Sequence, residues 1–151
     1  MTDLRGRSHI KIDPKGRISL PAQFRHFFNK THQLVVTNSV SQGHRLLDLY
    51  SLSEWKKLEA KVNSWPALKA EVQNFRRFYI SSGESCELDA QGRVLIPAHL
   101  RDYAKLKEDI VVVGMQNRLE IWEESSWNQV FKGLTENFEQ ILSQVAELKK
   151  K

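Results

Sequence analysis

The feature that most constrains this chain is that much of it is written twice. Residues 13–25 read DPKGRISLPAQFR and residues 89–101 read DAQGRVLIPAHLR. At that offset Asp13/Asp89, Gly16/Gly92, Arg17/Arg93, Pro21/Pro97, Ala22/Ala98 and Arg25/Arg101 are identical, and Ile18/Val94, Leu20/Ile96 and Phe24/Leu100 stay apolar. The match continues with LVVTN at 34–38 against IVVVG at 110–114, then LDLYSLSEW at 47–55 against LEIWEESSW at 119–127, where the second copy has lost four residues. The loss falls in the loop around Ser39–Arg45, whose counterpart is Gly114–Arg118. Chance supplies one short match readily; two matched blocks in the same order require a tandem duplication. Each copy is too short and strand-rich to bury a good core alone, so the two are expected to complete one another around a pseudo-two-fold axis.

Local rules give each copy the same anatomy. His9–Asp13 reads as a strand with Ile10 and Ile12 on one face. Asp13-Pro14-Lys15-Gly16 has the residues of a type I turn. Arg17–Leu20 returns as a strand with Ile18 and Leu20 inward and Arg17 and Ser19 outward. Pro21 suits the start of a helix over Ala22–Asn29. Leu34–Thr37 and Leu46–Tyr50 form a second strand pair. The second copy gives strands Cys86–Leu88, Arg93–Ile96, Ile110–Val113 and Leu119–Trp122, and a helix Ala98–Tyr103.

A helix with an apolar stripe follows each copy. After the first, Ser53 is the expected N-cap, and Trp55, Leu58, Val62 and Trp65 line one face. Pro66 interrupts, and Leu68, Val72, Phe75 and Tyr79 continue the stripe. After the second copy, Phe131, Leu134, Phe138, Ile141, Val145 and Leu148 step alternately by three and four, a heptad seam whose start Gly133 weakens. Two readings stand for it: a helix packed on its own domain, or one packed on a neighbouring subunit. The middle stripe is the expected glue between the repeats. The fold expected is α+β, divided into repeat one (5–52), a helical connector (53–80), repeat two (81–127) and a helical tail (128–151).

Charge points to a partner. Lys and Arg number 23 against 18 Asp and Glu, a net charge of +5. Residues 1–30 carry the whole excess: Arg5, Arg7, Lys11, Lys15, Arg17, Arg25 and Lys30 stand against Asp3 and Asp13. Such a local field attracts phosphate backbones; the plain alternative is a solvated face. The 40% hydrophobic content is enough for a core and argues against a disordered chain. The single cysteine, Cys86, rules out an intramolecular disulfide and fits a reducing cytoplasm. No apolar run reaches membrane-span or signal-peptide length.

Chemistry for an enzyme is missing from the sequence. His9, His26, His32, His44 and His99 form no H-x-x-x-H pair and none lies at metal-ligand spacing from Cys86. Phosphate-binding loops, dinucleotide fingerprints and G-x-S-x-G are absent. Cys86 sits beside Glu84 and Glu87, which disfavour its thiolate. The four tryptophans recur at helix and strand positions and read as core, not as the stacking platform of an RNA-binding module. No catalytic residue, metal, cofactor or small-molecule substrate is therefore expected.

The tandem D-x-x-G-R-[hydrophobic]-x-[hydrophobic]-P-A-x-[hydrophobic]-R resembles the SpoVT-AbrB swapped-hairpin domain. Two copies, with RGRSHIKID, NFRRFYISSGESCELD and VVVGMQNRLEIW around them, closely resemble the bacterial MraZ family over about residues 5–127. The resemblance implies two tandem swapped-hairpin β-barrel repeats. It further implies a cytoplasmic, nucleoid-associated transcriptional regulator that binds short direct repeats in double-stranded DNA. The implied target is the promoter of the division and cell-wall gene cluster that includes its own gene, and the implied assembly is a ring-like homo-oligomer. The DNA-contacting D-x-x-x-R motif falls on Asp13 and Arg17 and on Asp89 and Arg93. Lys15 in the first turn is Gln91 in the second, so the second is expected to contribute less.

Residue chemistry fits that implication. A two-stranded ribbon enters a major groove, and an Arg just past a tight turn can bridge guanine O6 and N7 or grip a phosphate. Asp13 and Asp89 are expected to cap the turn and orient the Arg; the plain reading of Arg17 is a surface ion pair with Asp13. Arg5, Arg7, Lys11 and Lys15 are the candidate phosphate contacts. For Arg25 and Arg101, DNA contact and simple solvation or pairing with a carboxylate both stand. A different class also stands: related domains serve as antitoxins whose disordered tails wrap a toxin, although the periodic tail here favours ordered packing.

Overall fold

The computed structural model describes residues 4–28 and 32–149. Its strands are β1 (Arg7–Lys11), β2 (Arg17–Ser19), β3 (Gln33–Ser41), β4 (His44–Ser51), β5 (Glu84–Glu87), β6 (Arg93–Leu95), β7 (Asp109–Gly114) and β8 (Leu119–Glu123). Its helices are α1 (Ala22–Phe28), α2 (Leu52–Asn63), α3 (Ala70–Phe75), α4 (Ala98–Tyr103) and α5 (Glu124–Leu148), and a π-helical turn, Arg76–Ile80, continues α3. The expected Asn29 end of α1 lies outside the described residues.

Strand exchange is the organising event. The larger sheet runs β1-β7-β8-β4-β3-β5, all antiparallel, and β2 and β6 form a separate ribbon. The first strand of each repeat thus adds to the other repeat: Ile10 pairs with Ile110 as Cys86 pairs with Leu34. In the ribbon Ile18 faces Val94, Arg17 faces Leu95 and Ser19 faces Arg93. These registers obey one pseudo-two-fold axis, the symmetry expected from the duplication. The fold is α+β, with tandem repeats that have swapped their hairpins.

Period-two alternation sorts the strands. Ile18, Leu20, Val94 and Ile96 join Leu47, Leu49, Leu119, Ile121 and residues of α1 and α4 in one core. The outer face of the sheet carries two smaller clusters. Val35, Tyr50, Trp55 and Tyr79 pack under α2 and the π turn, and Leu46, Val111, Val113, Trp122, Trp127 and Val130 under α5.

Between those clusters Asp48 and Glu120 face each other across β4–β8. Like charges opposed on one face destabilise a sheet unless neutralised. Here the Tyr79 hydroxyl donates to Asp48, Arg118 Nε lies 3.4 Å from Asp48 Oδ1, and Tyr50 and Tyr79 share a 2.5 Å contact. Burial pushes Asp48 above the ordinary carboxylate range, against the opposing pull of Tyr79 and Arg118.

Four expectations need correction. The segment around Ser39–Arg45 is no loop: β3 and β4 extend to Ser41 and His44, and Gln42-Gly43, both with positive φ, turn the chain as a two-residue hairpin. The α2 N-cap is Ser51, not Ser53; Ser51 Oγ accepts the Glu54 N–H at 3.2 Å. Leu68, 91% exposed, precedes α3 and leaves the stripe. The tail helix starts at Glu124, the counterpart of Leu52, so Gly133 is interior to it.

Candidate nucleic-acid interface

Each half of the ribbon begins with the same small structure. Gly16 N donates to the Asp13 carbonyl at 2.9 Å, closing the expected turn. Asp13 Oδ1 accepts the Lys15 and Arg17 backbone N–H groups, both at 2.9 Å, and Oδ2 accepts Arg17 Nε at 2.7 Å. The second turn reproduces it: Asp89 Oδ1 accepts Gln91 N at 2.9 Å and Arg93 N at 2.8 Å, and Oδ2 accepts Arg93 Nε at 2.9 Å. The Arg17 backbone N–H, helped by its guanidinium and the Lys15 N–H, holds Asp13 below the ordinary carboxylate range; Arg93 and Gln91 do the same for Asp89.

That geometry joins the two readings of Arg17. The ion pair exists, but a surface pair contributes little stability. Its effect is orientation: the Asp takes Nε, and among the described residues the terminal Nη groups of Arg17 and Arg93 make no hydrogen bond. Those are the nitrogens that a bidentate contact to guanine or phosphate uses.

Glycine and a distant arginine complete each turn. Gly16 and Gly92 have φ of +91° and +77°, a region that L side chains rarely occupy. Added Cβ atoms would also collide with a guanidinium of the opposite repeat, 2.4 Å from Arg101 Cζ at Gly16 and 2.3 Å from Arg25 Nε at Gly92. Arg101 Nε donates to the Ile96 carbonyl at 3.0 Å and Arg25 Nη2 to the Leu20 carbonyl at 2.9 Å. Neither arginine is merely solvated, and neither pairs with a carboxylate among the described residues. The sequence signal was their recurrence at one position of both repeats.

The structure therefore brings Asp13, Lys15, Arg17, Asp89 and Arg93 together with Arg25 and Arg101. Arg7 and Lys11 have contacts of their own outside the turns. The Arg7 guanidinium stacks on α5, 4.5 Å from the Phe131 ring centroid and 5.7 Å from Trp127. Lys11 sits 3.4 Å from Glu108 and 3.3 Å from Asp109. Arg5 lies where the chain enters β1, its backbone close against Gly114. Sequence reasoning counted their charges but could not see their partners. It also passed over Leu95, 53% exposed and opposite Arg17 on the ribbon's outer face.

Cys86 is half-buried, and its thiol is pushed up to about 12, by burial first and Glu84 second. No group of three or more possible metal-ligating side chains occurs among the described residues. None of the described helices is long and apolar enough to cross a membrane.

Comparison with known proteins agrees with the duplication. The sequence model of the family described as MraZ protein matches residues 4–78 and 80–149. The transcriptional regulator MraZ of Thermoanaerobacter sp. (strain X514) is 37% identical over 145 residues, 96% of this chain and 98% of that protein. The protein of the same name from Caldanaerobacter subterraneus subsp. tengcongensis is 38% identical over 138 residues, 91% of this chain and 93% of its own. A solution structure of PHS018 from Pyrococcus horikoshii covers 79% of this chain and 88% of its own at 16% identity, with a TM-score of 0.36 too low to bear on function.

Proposed function

The chain belongs to the MraZ family, and from that premise we propose a DNA-binding regulator of transcription that reads double-stranded promoter DNA with its two D-x-x-x-R turns. The observation that carries this reading is the pair of buttressed arginines on one exposed ribbon. A two-stranded ribbon fits a B-DNA major groove. Arg17 and Arg93 then meet base edges through their Nη groups, while Asp13 and Asp89 remain behind the turns and keep their negative charge off the phosphates. Lys15 meets a phosphate and sets register. Leu95 offers an apolar contact of the kind a thymine methyl accepts.

The proposed target is the promoter of the division and cell-wall gene cluster that includes the protein's own gene, bound at short direct repeats by a homo-oligomer in the cytoplasm, at the nucleoid. One ribbon offers few base contacts, so several identical ribbons at fixed spacing are needed for specificity. The apolar side of α5 supports assembly: Phe138 and Leu148 are 54% and 69% exposed, and a groove of about 420 Å³ separates Leu134 and Ile141 from Gln42 and His44 at the β3–β4 tip. A second copy of the chain is the proposed occupant.

Competition binding on DNA from upstream of the protein's own gene, with footprinting, tests the reading. The promoter duplex should outcompete a scrambled duplex and RNA, and protection should fall on repeated elements. Equal competition by scrambled DNA refutes sequence-specific recognition.

A further inference from the structure

We propose that Arg101 and Arg25 are positioning residues that each set the recognition turn of the opposite repeat, so that the two D-x-x-x-R turns are cross-braced. The contact chain is short and runs both ways. Arg101 donates from Nε to the Ile96 carbonyl, Ile96 donates its own N–H to the Gly16 carbonyl at 2.9 Å, and the same guanidinium covers Gly16. Arg25 donates to the Leu20 carbonyl, Leu20 donates to the Gly92 carbonyl at 3.0 Å, and the Arg25 guanidinium covers Gly92.

The two braces use different nitrogens. Arg101 engages Nε, whereas Arg25 engages Nη2 and leaves its buried Nε without a hydrogen bond. What they share is a planar guanidinium lying over a glycine that carries no side chain. A lysine has neither the plane nor the fixed fork of donors. Because β2 and β6 are paired, each turn is gripped by the helix that follows the other turn: α4 holds the first and α1 the second. Charge on Arg25 and Arg101 is therefore spent within the protein, and their influence on DNA runs through Arg93 and Arg17 respectively.

Hydrogen exchange on the full chain, read by mass spectrometry, tests the bracing without any DNA. In Arg101→Ala the amides of Lys15, Gly16 and Arg17 should exchange about tenfold faster, as expected when one hydrogen-bonded support is removed, while those of Gln91, Gly92 and Arg93 hold their rate. Arg25→Ala should show the reverse pattern. Arg101→Lys and Arg25→Lys, which keep charge and most of the apolar stem, should give the same crossed pattern more weakly and guard against a global loss of structure. If each substitution loosens the turn of its own repeat, or both turns equally, the proposal is overturned.

A second measurement rests on the DNA-binding reading. In double-mutant cycles of affinity for the promoter duplex, Arg17→Ala should be non-additive with Arg101→Ala and additive with Arg25→Ala. The opposite pairing overturns the coupling. Absence of specific DNA binding in the unmodified protein would remove the regulator reading, while the exchange pattern would still decide whether the turns are cross-braced.

Discussion

The helices that follow the two repeats begin alike and end differently. Leu52 and Glu124 open α2 and α5 at equivalent positions, and Trp55 and Trp127 pack on equivalent strands. The first path then stops at Asn63, meets Pro66, and returns as α3, where Val72 is buried, and the π turn, which packs Tyr79 against its own sheet. The second runs on for 25 residues and leaves Phe131, Phe138, Leu142, Val145 and Leu148 exposed. The inner face of the molecule, which both repeats must share, has stayed symmetric. The outer face, which each covers separately, has diverged: one helix closes the chain on itself, and the other presents an uncovered apolar side.

The sharpest way to break that contrast is to charge the free helix. Phe138→Glu with Ile141→Glu should reduce the species size in light scattering and weaken binding to a multi-repeat duplex by about 10²–10⁴-fold, with weak single-repeat binding retained. Unchanged assembly size would show that α5 serves its own chain alone. The contrast also predicts unequal stability costs. Trp55→Ala should cost about 3–5 kcal/mol in denaturant unfolding, since it empties a buried site, whereas Phe138→Ala should cost under about 0.5 kcal/mol in the dissociated protein.

The turns differ less than the helices. Arg17→Ala should lose about 1–3 kcal/mol of specific binding and more than Arg93→Ala, because only the first turn has a lysine beside its arginine. Equal losses would make the two turns equivalent. Lys15→Gln, which copies Gln91 into the first turn, should flatten the slope of log K against log salt by about one unit and leave sequence preference unchanged.

A still smaller effect separates the carboxylates. Asp13 and Asp89 are lowered by their hydrogen bonds, so the stability they confer is present at and above the ordinary aspartate pKa and is lost only as pH falls through their lowered values. Asp48 is raised, so protonating it favours the fold, and ionisation costs stability as pH rises from the ordinary value through its own. Carboxyl carbon shifts in an NMR titration should show Asp13 and Asp89 titrating below the ordinary aspartate value and Asp48 above it.

What was legible in the sequence followed from local rules acting twice. Asp13-Pro14-Lys15-Gly16 specified its turn by residue type, Ile18 and Leu20 specified the inward face, and Pro21 marked the helix start. What was not legible depended on residues far apart in the chain. Nothing near Arg7 shows that it will lie on Phe131, and nothing near Lys11 shows Glu108 across a strand pair. Arg25 and Arg101 were visible as a repeated pattern, but their roles required knowing that β2 pairs with β6. The extended β3–β4 hairpin was hidden because Gln42 occupies a positive-φ position with no strong sequence cue.

Strand exchange also sets the order in which the molecule can be made. β1 finds its partner in β7, about 100 residues further along the chain. At roughly 5–20 residues per second, synthesis of that interval takes about 5–20 s, and during it β1 lacks its paired strand. The basic residues of β1 then serve a second purpose, since charge on an unpaired edge discourages pairing with other nascent chains. A contact so distant in sequence also slows closure of the sheet. Assembly of the reading surface likewise waits for β6 and α4, and a truncated product ending before β6 would carry a D-x-x-x-R turn with no ribbon to hold it.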